Sequence, residues 1–399
     1  MMYDLIVVGG GVGGSTLAKI MAEHGARVLV LERQPVFADR VRGEAIVPWG
    51  IVEARTLGIY EPLLHNGGQE LGVWLSSPDG VHTDLRDLFA TTPQHTGCLT
   101  CYHPTMQTIL LDLAARAGAE VRRGVTVVNL RPGEPAAVYV QERDWVVELT
   151  ARLVVGADGR ASRMRQWGGF DIRHDQERLA IASVLQHGLP LREDAVHEVE
   201  QPSIGQTVLI FPIGQQRFRT YLMYRKRGGR RGLTGHSQIA AFIQTCIQTG
   251  APAAWYEHAS TIGPLAEFEG AASWVDHPYR DGVALVGDAA GASDPSFGMG
   301  LSLTLRDVRV LGSYLQANDD WETTLHEYAT EHDQYFGALN RIIGWLTELF
   351  FEVGPAAEAR RAYVMARHQT EPERGVSLLG LGPDQPSDEA ARRRFFAED

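Results

Sequence analysis

The stretch Asp4-Leu5-Ile6-Val7-Val8-Gly9-Gly10-Gly11-Val12-Gly13-Gly14 decides the fold. A short run rich in Ile and Val predicts a buried parallel strand. Gly9, Gly11 and Gly14 then give the G-x-G-x-x-G spacing, and Ser15 to His24 predict a helix with Leu17, Ile20 and Met21 on one face. Each glycine has a physical task in such a turn. Gly9 permits the tight bend, Gly11 lets the backbone approach a pyrophosphate, and Gly14 lets helix and strand pack closely. The free N–H groups where the helix begins, at Val12 and Gly13, direct positive potential at the phosphates.

Working outward, Arg27 to Leu31 form a second apolar strand that ends at Glu32. An acidic residue about 20 positions after the glycines is placed to accept hydrogen bonds from an adenosine ribose. Arg33 beside it is a further candidate contact. Strand, glycine turn, helix and acid coincide, which predicts a dinucleotide-binding unit.

The chain has 399 residues, room for two or three domains. A formal net charge of −12 argues against nucleic-acid binding, and the basic run Arg225 to Arg231 is short enough to be a solvated loop. The apolar N-terminus lacks a basic leader and a cleavage site, so it reads as a strand. The longest apolar region, near Ile342 to Val353, is broken by Gly344, Thr347, Glu348 and Glu352, so stable membrane insertion is not expected. Three cysteines suggest no disulfide framework, and the cytoplasm is the expected location. Cys98-x-x-Cys101 has no second cysteine pair or spaced histidine pair to complete a zinc site, so no metal is expected, and two semi-buried thiols are favoured over a redox dithiol.

Along the chain, Pro48 stops a strand and Gly58 caps a helix over Ile51 to Leu57, while Leu71 to Phe89 read as strands of a second sheet. Pro104 opens a helix whose buried stripe is Met106, Leu110, Leu113 and Ala114. A second glycine turn follows an apolar strand at Gly156-Ala157-Asp158-Gly159. Strands rich in β-branched and aromatic residues fill Leu179 to Tyr224, and Ser237 to Thr249 predict an amphipathic helix. A third turn, Gly287-Asp288-Ala289-Ala290, follows Val283 to Val286, and Pro295-Ser296-Phe297-Gly298-Met299-Gly300 opens onto a helix carrying Leu301, Leu305, Val308, Leu311 and Leu315. Trp321 to Phe351 is helical, and the residues from Gly375 look peripheral. The fold class is therefore α/β, with a Rossmann-like nucleotide-binding domain interleaved with a β-sheet substrate domain and followed by C-terminal helices. The expected borders are 1–75, 98–178 and 265–330 for the nucleotide domain, 76–97 and 179–264 for the substrate domain, and 331–399 for the C-terminal segment.

Together the three turns resemble those of the FAD-dependent aromatic hydroxylases of the para-hydroxybenzoate hydroxylase family: Gly9-x-Gly11-x-x-Gly14 with Glu32, Gly156-Ala157-Asp158-Gly159-x-x-Ser162-x-x-Arg165, and Gly287-Asp288-Ala289-Ala290 with Pro295-x-x-Gly298-x-Gly300. The resemblance implies FAD as cofactor. It implies that Asp288 holds a ribityl hydroxyl and that Pro295, Gly298, Met299, Gly300 and Leu301 bring backbone N–H groups to the flavin ring. Asp158 and Gly159 match a turn serving flavin and pyridine nucleotide, and Arg42 matches an arginine near the diphosphate. His103 stands where relatives carry arginine or glutamine, so it is either a pH-sensitive flavin contact or a structural histidine.

The family chemistry implied is an NAD(P)H-consuming monooxygenase, with NADPH or NADH left open. Reduced flavin and O2 form a C4a-hydroperoxide that hydroxylates or epoxidises a small or polycyclic, aromatic substrate. The protein is expected to be a monomer or homodimer. Substrate candidates are Phe211 and Tyr221 in a predicted hairpin, and alternation leaves open which set of side chains faces the cleft. The same motifs also resemble those of geranylgeranyl reductases, which leaves an alkene reductase or dehydrogenase as the alternative. Gly43-Glu44-Ala45-Ile46-Val47-Pro48 resembles a flavin-dependent halogenase segment, but the lysine such enzymes need is missing between Lys19 and Lys226.

Overall fold

The computed structural model describes residues 2–77, 83–143, 145–226 and 232–398. Its centre is the strand Tyr3–Val8, parallel to Val28–Glu32 on one side and Trp145–Gly156 on the other. Val283–Leu285 continues the parallel sheet beyond Trp145–Gly156, and Glu120–Arg123 beyond Val28–Glu32. Alternation along the first strand sends Leu5 and Val7 into one core and Ile6 and Val8 into another, so the strand is apolar throughout because both faces are covered. Helices Val12–Glu23, His103–Arg116 and Gly300–Ala317 cover the first face. Strands Thr126–Arg131 and Ala136–Glu142 fold back in an antiparallel meander over the second. A fully buried Leu or Ile in such a core contributes about 1.5–3 kcal/mol.

A second, largely antiparallel sheet runs in the order Ser260–Thr261, Leu179–His187, Arg217–Arg225, Gln206–Pro212, Ala195–Gln201, Val73–Ser77, Asp84–Asp87, with Ala266–Gly270 also on Leu179–His187. Val208, Ile210, Leu222 and Tyr224 pack on the helix Ile239–Gln248 through Phe242 and Cys246. Leu209, Phe211, Tyr221 and Met223 therefore face the other way, toward Leu71, Trp74, Phe297 and Phe351. Val73–Ser77 pairs in parallel with Ala195–Gln201, and Ala266–Gly270 pairs with Leu179–His187, so sheet membership begins before residue 76 and extends past 264. Long-range backbone pairing, which leaves no mark in local composition, sets both limits.

The stretch after Gly375 is not peripheral. Phe395 and Phe396 in the helix Glu389–Phe396 are buried, with the Phe395 ring 5.8 Å from that of Trp345. The Gly382 backbone lies against the Trp49 indole, where a Cβ would come within 2.5 Å of Cε2. A few apolar side chains in a polar stretch suffice to dock it, which is why average composition misleads. In the basic run, Arg225 ends its strand and Lys226 pairs with Glu177, while residues 227–231 lie outside the described residues. Among the described residues no helix is long and apolar enough to cross a membrane.

Candidate functional site

The parallel register brings the three glycine turns together. Val8 is level with Gly156, and Gly156 with Leu285, so the chain leaves three adjacent strands at one edge. That carboxyl edge is where open α/β sheets bind ligands. Some glycines there are demanded by packing. A Cβ on Gly14 would lie 2.0 Å from the Gly9 oxygen, and one on Gly9, whose φ is +110°, would lie 2.4 Å from the Ala157 oxygen. Gly13 and Gly287 both abut Thr304 of the helix Gly300–Ala317, at 2.9 Å and 3.0 Å from their Cβ positions.

Others face open space. Gly11 would have its Cβ no nearer than 3.9 Å to Gln107, Gly300 none nearer than 3.9 Å to Ser293, and Gly298 and Gly159 nothing within 4 Å. The helices beginning at Val12 and Gly300 have neither a side-chain cap nor an acidic residue in the first turn. Both present uncompensated N–H groups, which suits a phosphate or an anionic ring edge. Val12 is buried beside the turn, and Leu301 is half-buried against Gly43.

Glu32 ends its strand buried. Its Oε2 accepts the Gly10 N–H at 2.7 Å and its Oε1 the Gln34 N–H at 2.7 Å, each oxygen keeping a lone pair for another donor. Arg33 is exposed. Asp158 accepts the Arg163 and Met164 N–H groups of the helix Arg163–Trp167 through Oδ2, while its Oδ1 is buried with no partner among the described residues. The half-buried Asp288 carboxylate has no protein donor among the described residues. Burial raises its pKa, opposed by the charges of Arg42, Arg160 and Arg165. Ser293 Oγ, near Gly300, is also buried with no partner among the described residues.

His103 begins its helix, and its Nδ1 lies 2.8 Å from the Gly43 carbonyl. Since a carbonyl only accepts, Nδ1 carries the proton and Nε2 is left as an acceptor. Desolvation lowers the His103 pKa to about 4, so the ring is neutral near pH 7. Arg42 is exposed, its charge felt by both His103 and Asp288. Pro295 starts a single 3-10 turn, Pro295–Phe297, capped by Asp294. Met299 is fully buried in the helical core, so only its backbone faces the turn.

In the sequence Arg165 stands out only as part of a motif, and two further groups were not singled out. Arg165, buried, donates to Ser273 and to the carbonyls of Asp288 and Ala289, tying the second glycine turn to the third. Arg219, also buried, forms a bidentate pair with Glu44 at 2.9 and 3.1 Å and bonds Asp39 at 2.8 Å, with Nη1 left unpartnered. Glu44 in turn accepts the His103 N–H. Trp74 and Phe297 join Phe211 and Tyr221 in one apolar cluster, and the Tyr221 hydroxyl donates to the Arg42 carbonyl at 3.1 Å. Arg165 was visible in its motif spacing; Glu44 and Arg219, 175 residues apart, had no local signal of pairing. Cys98 and Cys101 sit on opposite sides of one strand, their thiols pushed up to about 12 by burial, which fits inert thiols.

Open glycines, two uncapped helix ends and unpartnered acceptors at Asp158, Asp288 and Ser293 fit a dinucleotide with a polyhydroxyl linker. A family model described as FAD binding domain matches residues 2–335. The chain belongs to this FAD-binding family. It is an FAD-dependent oxidoreductase with a fold like that of para-hydroxybenzoate hydroxylase. A rifampicin monooxygenase of Streptomyces venezuelae is 28% identical over 370 residues, covering 90% of this chain and 74% of that protein. A digeranylgeranylglycerophospholipid reductase of Methanospirillum hungatei is 26% identical over 328 residues, covering 78% and 75%. The p-nitrophenol 4-monooxygenase PnpA of Pseudomonas putida superposes with a TM-score of 0.78 at 16% identity, over 100% of this chain and 97% of its own.

Proposed function

We propose that this flavoprotein is an NAD(P)H-consuming monooxygenase that hydroxylates or epoxidises a small or polycyclic aromatic substrate. The observation carrying this reading is a single sheet edge where three glycine turns meet, with the loop after the third placing Phe297 in one aromatic cluster with Trp74, Phe211 and Tyr221 of the second sheet. In this reading Glu32 accepts from the adenosine ribose, with Arg33 beside it. The helix start at Gly11, Val12 and Gly13 receives the diphosphate with Arg42. Asp288 and Asp158 accept ribityl hydroxyls, and the backbone from Pro295 to Leu301 lines the ring with His103. Bound FAD supplies hydride acceptance from NADPH or NADH and the activation of O2. The protein's own work is orientation and exclusion of water by the apolar cluster.

The test is anaerobic mixing of the FAD-loaded protein with NADPH and, separately, NADH, with flavin absorbance followed before and after O2 is admitted. The reading expects bleaching, then product bearing one atom from O2. Relationship to the lipid reductase favours a second reading, an alkene reductase. Flavin turnover that yields a hydrogenated product without added oxygen would establish it instead.

A further inference from the structure

The second sheet carries two carboxyl groups on one face of the strand Ala195–Gln201, Glu198 and Glu200, and Glu198 is the one tied into the aromatic row. On the strand Ala195–Gln201, Val196 faces the aromatic cluster and is level with Trp74. Two residues on, Glu198 lies on the same face, level with Leu209 of the next strand. Its Oε2 accepts the Trp74 indole N–H at 2.6 Å, and its other oxygen has no protein donor among the described residues.

From this carboxyl group three rings run toward the flavin-side turn. Trp74 meets Phe211 edge-on at 6.1 Å, and Phe211 meets Tyr221 edge-on at 6.1 Å. The Tyr221 hydroxyl then bonds the Arg42 carbonyl, in the segment beside His103. Ala45 and Phe297 border the same cluster. One end of the row therefore abuts the cofactor turns and the other ends at Glu198. Three cations near this face are engaged elsewhere, Arg219 with Glu44 and Asp39, Arg86 with Thr91, and Arg361 with the carbonyls of Leu349 and Glu352, while Glu200 is a second carboxyl group beside Glu198. A carboxyl group anchored by one indole N–H, with its second oxygen open beside apolar rings, is a directed acceptor for a ligand donor.

We propose that Glu198 is the substrate-anchoring group: its free oxygen accepts a hydrogen bond from a hydroxyl or amino group on an extended aromatic substrate, at the end remote from the flavin. The row's two ring-to-ring steps suit a fused, multi-ring molecule better than a single phenol. Burial and the neighbouring Glu200 carboxyl hold Glu198 above the usual carboxylate range, at about 8, so its open oxygen is a carboxylate acceptor above that pH, where the binding measurement is made. The proposal rests on the monooxygenase reading for the direction of the row, but its test does not depend on turnover.

The probes are 2-naphthol and 2-methoxynaphthalene, alike in shape except that only the first donates. Their dissociation constants are measured by equilibrium dialysis against the FAD-loaded protein, with no reductant present. We expect 2-naphthol to bind about 10- to 100-fold tighter, the worth of one hydrogen bond to a carboxyl group. Glu198→Leu should erase that ratio while leaving 2-methoxynaphthalene affinity within about twofold. Glu198→Gln keeps side-chain size and the Trp74 bond, and should narrow the ratio because an amide N–H₂ replaces the open oxygen. A ratio unchanged in either folded variant, or no binding of either probe to the parent protein, overturns the proposal. A ratio lost in the variants while NAD(P)H fails to reduce the flavin would sustain the anchor and sink only the monooxygenase reading.

Discussion

Gly11 and Gly14 are alike in sequence and opposite in what a methyl group would meet. At Gly14 the added carbon collides with the Gly9 oxygen at 2.0 Å and Val7 Cγ1 at 2.9 Å, whereas at Gly11 nothing is closer than 3.9 Å. Gly14→Ala should therefore cost about 1–3 kcal/mol of stability through overpacking, read by chemical denaturation. Gly11→Ala should leave the apoprotein's stability nearly unchanged and weaken FAD binding, read by fluorescence titration. Arg219→Met leaves Glu44 and Asp39 facing each other without their cation. The expected loss is about 3–5 kcal/mol, and the double variant Glu44→Gln/Arg219→Met should lose clearly less than the sum of the single changes. At His103 the folded-state pKa, about 4, lies below the ordinary 6.5, so the unfolded chain binds the extra proton. The contribution to stability is then flat above 6.5 and lost as pH falls through that value toward 4, and His103→Gln should remove this component from the stability–pH curve.

At the scale of elements, the C-terminal helices and tail join the core. Phe395 packs on Trp345 of the helix Trp321–Phe351, and Arg306 of the helix Gly300–Ala317 pairs with Asp384 of the tail. Phe395→Ala should cost about 3–5 kcal/mol, as for other buried aromatic truncations, and a thermal melt followed through flavin fluorescence should shift downward. The tail is linked to the glycine turns by the helix Gly300–Ala317, whose Arg306 holds Asp384 and whose Thr304 abuts Gly13 and Gly287. Elements with a strong local signal were legible in sequence. The helix Trp321–Phe351 falls on the expected span, and the glycine turns stand at the ends of their expected strands. The helix at Glu389–Phe396 was not, since only its docked face is apolar.

For the whole molecule, FAD would touch the ends of three parallel strands and the helix at Gly300, so its binding should stabilise the fold as a unit. Free FAD at 100 times its dissociation constant should add about 2.7 kcal/mol to unfolding, and a melting temperature that does not respond to FAD would count against the site. What the sequence by itself determined is the FAD-binding family and its strand–turn–helix frame. Gly9, Gly11, Gly14, Glu32, Asp158 and Asp288 lie at spacings imposed by local strand–turn–helix geometry, and such geometry is written in consecutive residues. The tertiary structure alone decided which face of the second sheet meets the cofactor turns, because strand alternation is symmetric until a helix such as Ile239–Gln248 covers one side. It alone joined Glu44 to Arg219 and Trp74 to Glu198, pairs separated by 175 and 124 residues. Buried charges and open acceptors take their meaning from what surrounds them, and their surroundings come from distant parts of the chain.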